Sequence, residues 1–123
     1  CAKVYEDDDI LSFMDINPIS DAHTLVITKE HYEYVHQCPP RLLASLAAKL
    51  PAIAAAVLDV SGAEGYNILC NSGRASGQEV PHLHFHIIPR FTGDGVLARW
   101  PAGKYPEGKI QKLSSEIAAK IKL

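Results

Sequence analysis

The chain has 123 residues, 47% of them hydrophobic and 21% charged, which suits one globular domain and excludes a disordered or collagen-like polymer. The formal net charge is −2, so no general positive field draws nucleic acid or an anionic membrane surface. The three cysteines, Cys1, Cys38 and Cys70, lie far apart with no C-x-x-C, which speaks against a disulfide scaffold or a four-cysteine zinc site and fits a reducing cytoplasm.

No signal peptide is visible, and the apolar stretches read as far short of a membrane span. From the N-terminus, Ala2 to Tyr5 reads as a short strand. The acidic run Glu6-Asp7-Asp8-Asp9 reads as a solvated turn, and Ile10 to Met14 as the returning strand. Asn17-Pro18 marks a turn, and "HTLVIT" (23–28), rich in β-branched residues, reads as a third strand. The period then changes. Leu42, Leu43, Leu46, Leu50, Ile53, Val57 and Leu58 recur at helical spacing behind Pro39-Pro40, with Ser61-Gly62 as the stop. Pro51 falls inside this helix and is expected to kink or split it. "GYNILC" (65–70) is a further strand, "NSGRASGQ" (71–78) a glycine- and serine-rich loop, and Val80 to Pro89 another strand. Ile110, Leu113, Ile117 and Ile121 predict a last amphipathic helix. Strands on either side of one long helix indicate an α+β domain with an antiparallel sheet.

The strand near residue 80 carries "EVPHLHFHIIPR" (79–90), which holds three of the six histidines at alternate positions. Alternation puts His82, His84 and His86 on one strand face and Leu83, Phe85 and Ile87 on the other. The outer two are then about 13 Å apart, too far for one zinc to take all three. Three readings remain: two histidines with an outside metal ligand, a polar strand face, or a catalytic group. Neutral imidazole is a nucleophile near neutral pH, and a flanking imidazole can fix its tautomer or donate to a developing oxyanion. The preceding loop, with Gly73 and Gly77, has the composition of a backbone phosphate cradle, although it lacks the G-K-[ST] of a P-loop.

At "HLHFHII" the pattern resembles the histidine-triad (HIT) superfamily of nucleotide hydrolases and transferases. "KVYEDDDILSFMDINP" (3–18), "HTLVITKEH" (23–31), "NSGRASGQEV" (71–80) and "PHLHFHIIPR" (81–90) occur in that family's order and spacing, so the resemblance spans nearly the whole chain. It implies a single HIT domain over 1–123, of the bacterial type, lacking the family's N-terminal segment. It implies an antiparallel meander sheet with one long helix and a C-terminal helix, the sheet extended across a homodimer. The implied reaction is attack by His84 on the α-phosphorus of a purine nucleotide conjugate, an adenosine phosphoramidate or a diadenosine polyphosphate, through a nucleotidyl-histidine intermediate. By the same match, His86 contacts the α-phosphate, while His82 and His23 complete the cluster. Asn71 and Gln78 fall on phosphate-binding positions, Asp15 on the position that holds the ribose hydroxyls, and Phe13, Ile16 and Leu25 on the base pocket.

The resemblance implies no cofactor for the chemistry, a small-molecule nucleotide as partner, and neither nucleic acid nor membrane. Two departures stand out. Glu79 follows Gln78 where many relatives carry Ser or Thr, and an ionised carboxylate there would repel phosphate. This points to an alternative, a nucleotide-binding regulator with little turnover. Bacterial relatives often bind a structural zinc through a C-x-x-C with two histidines. Those histidines match His31 and His82, but this sequence holds no cysteine pair, so zinc is open but unsupported. Otherwise His31 and His36 read as surface residues and Cys70 as core. Trp100-Pro101 resembles phosphoramidase members, whereas Pro89-Arg90 resembles dinucleoside-polyphosphate hydrolases and general bacterial members.

Overall fold

A computed structural model describes residues 1–97 and 100–123. Five strands form one antiparallel sheet: β1 (Lys3–Glu6), β2 (Ile10–Met14), β3 (Thr24–Thr28), β4 (Gly65–Leu69) and β5 (His84–Arg90), in the order β1-β2-β3-β5-β4. Two helices accompany it, α1 (Pro40–Ser61) and α2 (Lys109–Lys120). This is the expected α+β architecture. The histidine-bearing strand lies inside the sheet, bonded to β3 on one side and β4 on the other. Both ladders hold its backbone, so groups displayed on it are rigidly placed.

Strand alternation sorts the core from the open face. Ile10, Val26 and Ile87 are buried with Leu46, Ile53, Ala54 and Val57 of α1, and Phe85 packs beside them. A second cluster joins Leu83 to Leu42 and Cys38, with Cys70 and Phe85 at its margin. Leu83, Phe85 and Ile87 therefore pack under the helix as the alternation predicts. Each such aliphatic side chain contributes about 1.5–3 kcal/mol on burial.

Three expectations change. α1 runs unbroken for 22 residues through Pro51. Pro51 and Ala47 both lie on the exposed face, so the carbonyl that Pro51 leaves without an N–H is on the side open to water. The same helix averages a hydropathy of 1.7 over 18 residues, so it is long and apolar enough for a membrane span, contrary to the reading of the sequence. Five of its residues are nevertheless buried, packed against the sheet or the neighbouring apolar cluster, which makes it the core helix of this domain. Its end is a left-handed Gly62 at φ 67°, whose N–H donates to the Leu58 carbonyl at 3.0 Å. Finally, β5 begins at His84, not at Val80. Residues 80–83 instead form a tight bend in which the His82 N–H donates to the Val80 carbonyl at 2.8 Å. The Leu83 N–H then donates to the Tyr32 carbonyl at 2.6 Å, outside the sheet.

The C-terminal helix forms where its period predicts, but none of its residues is buried, and Ile110, Ile117 and Ile121 stay exposed.

Candidate active site

The late start of β5 divides the histidine row. His84 pairs with Ile27 of β3, and His86 with Leu25 of β3 and Leu69 of β4. Their rings are neighbours, with centroids 4.8 Å apart. His82 lies before the strand, and its ring goes elsewhere: its Nε2 is 2.7 Å from the Thr28 carbonyl and its Nδ1 is 2.9 Å from His31 Nδ1. What His82 brings to His84 is its main chain. The His84 Nδ1 lies 2.6 Å from the His82 carbonyl. A carbonyl only accepts, so Nδ1 carries the proton and Nε2 of neutral His84 keeps its lone pair.

His23 completes the group from the loop between β2 and β3. It is 3% exposed, and its Nε2 lies 2.9 Å from His86 Nδ1. The Asp15 carboxylate stands 3.6 Å from the same His23 nitrogen. Burial pushes the His23 pKa down against the pull of Asp15. Burial, followed by the neighbouring His84 and His23, pushes His86 down to about 4. Both rings are therefore neutral at pH 7, able to donate through one nitrogen and accept through the other.

The remaining predicted residues distribute unevenly. Phe13 is the direct cross-strand partner of Leu25, which is the partner of His86, so these three form one row across β2, β3 and β5. Asp15 adjoins that row, one carboxylate oxygen accepting the Asn17 N–H at 2.8 Å. Ile16 is 87% exposed beside it. Gln78 is buried, and both ends of its amide are engaged within the protein. Its Oε1 accepts the Gly73 N–H at 2.7 Å and its Nε2 donates to the Glu33 carbonyl at 2.8 Å. Here Gln78 braces the glycine loop. Asn71 is half-buried against that loop, where a Cβ on Gly77 would come within 3.6 Å of its Nδ2. Gly73 and Gly77 have φ of 93° and 101°, which only glycine adopts cheaply. Glu79 is exposed.

A cavity of about 740 Å³ lies along edge strand β4, lined by Asn67, Ile68, Leu69, Cys70, Asn71, Ser76, Arg90, Leu97 and Trp100. The histidines do not line it. The histidine cluster is the candidate active site on its chemistry, and the two features meet at Leu69, the cross-strand partner of His86, and at Cys70, whose thiol reaches the His84 backbone. Arg90 anchors the cavity wall, with a two-pronged ion pair to Asp94 at 2.7 and 2.9 Å and a bond to Asn67 at 2.8 Å.

Two groupings could bear on a metal. Asp15, His23 and His86 offer ligand atoms within 4.8 Å of one another, the one such group of three among the described residues. Its two ring nitrogens already satisfy each other. His31 and His82 converge their Nδ1 atoms, and His82 has its other nitrogen on a carbonyl, as metal-bound histidines usually do. That is half of a tetrahedral zinc site; the described residues do not supply a third ligand to it.

Nothing in the residue pattern points to the Thr28 and His82 carbonyls or to Ser20, whose hydroxyl donates to the Pro89 carbonyl at 2.8 Å. Backbone acceptors have no residue signature.

Two adjacent histidines on an internal strand of a five-stranded antiparallel sheet, with a glycine loop leading to that strand, define an α+β domain of histidine-triad type. The HIT domain family model matches residues 1–93, and the chain belongs to that family. It is 36% identical to adenylylsulfatase HINT3 of Arabidopsis thaliana over 99% of this chain and 61% of that protein, so it spans less than two thirds of that relative's length. It is 37% identical to adenosine 5'-monophosphoramidase hnt1 of Schizosaccharomyces pombe, over 99% of this chain and 90% of the relative. A crystal structure of a HIT family protein from Bacillus anthracis superposes with TM-score 0.92 at 36% identity, covering 99% of this chain and 89% of that one. The family and these named relatives support a nucleotide hydrolase activity.

Proposed function

We propose that this domain cleaves nucleotide conjugates at the α-phosphorus through a covalent intermediate on His84. The observation that carries the reading is the bond from His84 Nδ1 to the His82 carbonyl, which leaves Nε2 as a fixed lone pair on an internal strand. In the first step Nε2 bonds to the α-phosphorus, and the bond from phosphorus to the leaving group breaks with its electron pair. The ring gains positive charge as it does so, and the His82 carbonyl is placed to stabilise it. Water then attacks the same phosphorus and returns the electron pair to His84. Splitting one displacement in two, and holding the charge at each stage, accounts for most of the rate in such chemistry.

His86 holds a nonbridging phosphate oxygen through its Nε2–H. Asp15 accepts the ribose hydroxyls, and Phe13 and Leu25 face the base, with Ile16 at the rim. Asn71 contacts phosphate from the loop that Gln78 braces. The substrate is an adenosine phosphoramidate or a diadenosine polyphosphate, which share that α-phosphate. No step requires a metal. The domain works as a homodimer: β4 is an edge strand with Tyr66 and Ile68 about two-fifths exposed, a surface suited to pairing with a second copy. Light scattering at micromolar concentration tests that assembly.

Incubation with an adenylated substrate and acid-free quenching should trap an adenylyl-protein that His84→Ala cannot form. If that variant turns over as fast as the parent, the mechanism fails. A second reading, a nucleotide-binding regulator with little turnover, is favoured by exposed Glu79 at the loop. Both readings give AMP binding by calorimetry; only the first gives turnover. A side-by-side panel of phosphoramidate and diadenosine polyphosphate assigns the substrate.

A further inference from the structure

We propose that Ser20 is a positioning residue whose hydroxyl latches the loop of residues 15–23 onto β5 and thereby fixes the tautomers of His23 and His86. The loop folds tightly around His23. The Asp15 N–H donates to the His23 carbonyl at 3.0 Å, and the His23 N–H to the Ser20 carbonyl at 3.1 Å. The Ile19 N–H donates to His23 Nδ1 at 3.3 Å. Ala22, the residue before His23, sits at φ 72°, a left-handed conformation that costs a non-glycine residue about 1–2 kcal/mol. A loop holding such strain needs an anchor outside itself.

The anchor is the tie from Ser20 to Pro89, 69 residues away in sequence. The β3–β5 ladder ends at the pair Thr24 and Ile87. Carbonyls alternate sides along a strand, and that of Arg90 already accepts the Glu64 N–H on the β4 side, at 3.0 Å. The Pro89 carbonyl therefore points past the end of β3, and the Ser20 hydroxyl takes the place of the missing strand donor.

The consequence runs through ring nitrogens. A backbone N–H only donates, so His23 Nδ1 must accept from Ile19, and the His23 proton sits on Nε2. That proton is donated to His86 Nδ1 at 2.9 Å. His86 then carries its own proton on Nε2, the nitrogen left free for a ligand. A side chain with no ring contact thus selects which nitrogen of His86 donates.

The kinetic part rests on the proposed role of His86 at the phosphate; the tautomer part does not, and it is read without substrate. Long-range proton–nitrogen correlation spectra of the whole chain, with His23 and His86 assigned, should give the Nε2–H form for both rings. A parent His23 in the Nδ1–H form overturns the proposal with no variant needed. In Ser20→Ala both rings should become tautomer mixtures, and Ser20→Thr should restore the parent pattern. On adenosine phosphoramidate, Ser20→Ala should lower kcat roughly tenfold with KM within about twofold, the size of one neutral hydrogen bond misdirected in the transition state. Parent-like tautomers in Ser20→Ala, or mixed tautomers with an unchanged kcat, overturn it. A parent without any turnover overturns the reading of His84 instead, and the spectra still decide the latch.

Discussion

The molecule contains two histidine pairs with the same nitrogen separation and opposite surroundings. His23 and His86 meet at 2.9 Å, as do His31 and His82. The first pair is enclosed by the sheet and the loop of residues 15–23, and burial keeps both rings neutral. In the second pair His31 is exposed, and the rings meet through their two Nδ1 atoms at the mouth of a bend. Contact distance does not distinguish them. What distinguishes them is the neighbouring His84, which lies beside His86 with its Nε2 free, and the row of Leu25 and Phe13 that extends from His86. The pair we propose at the active site is the one beside His84, with the row of Leu25 and Phe13 extending from it.

Breaking that contrast most severely means removing the proposed nucleophile. His84→Ala should cost at least about a thousandfold in kcat on an adenylated substrate, as loss of a covalent nucleophile usually does. His31→Ala, in the other pair, should leave kcat within about twofold, measured in the same assay. Acid should separate the pairs next. The folded pKa of His86 lies near 4, below its ordinary 6.5, so the unfolded chain binds more protons between those values. Its stabilising contribution is complete above about pH 6.5 and is lost as pH falls towards 4, on the order of 3 kcal/mol in all. Thermal melts across that range should show the decline, and His86→Gln should reduce it to the part that buried His23, whose pKa is also lowered, still contributes. Glu6 and Asp7, both held near 2 by their bonding partners, act in a lower window and leave this slope alone.

Gln78 ties the segment after His31 to the glycine loop. Gln78→Ala should destabilise by about 2 kcal/mol in urea unfolding, because it strands a loop N–H and the Glu33 carbonyl. The smallest effect is expected at Ala22. Ala22→Gly relieves the left-handed strain and gives back part of the gain as chain entropy, for a net stabilisation of about 0.5 kcal/mol. A melting temperature at neutral pH checks it.

Much of this was legible in the sequence, for identifiable reasons. "TLVIT" and "GYNIL" became strands because β-branched and alternating residues fit a pleated surface. α1 followed its leucine spacing, and Pro51 failed to break it because it falls on the solvent side. The structure places His23, His84, His86 and Asp15, named from the family blocks, next to one another. His82 was harder to read. A run of alternating residues looks like strand throughout, yet Pro81 and the bend at Val80 delay the start of the strand to His84, and the His82 ring goes to Thr28 and His31. The roles of Gln78 and Ser20 depend on backbone carbonyls and N–H groups, and these have no letter in a sequence.

The bond from His84 to the His82 carbonyl has a consequence for how this site can change over generations. Many catalytic histidines are oriented by a carboxylate, which a single base change can delete and which acid can neutralise. Here the orienting group is a peptide oxygen that every residue type carries. Position 82 can drift to another amino acid, taking its exposed partner with it, while the carbonyl that accepts from His84 Nδ1 stays in the chain. Changes to the backbone of the bend of residues 80–83, at Pro81 above all, are what would move that oxygen. The atom that orients His84 is therefore one that substitution can displace but not delete.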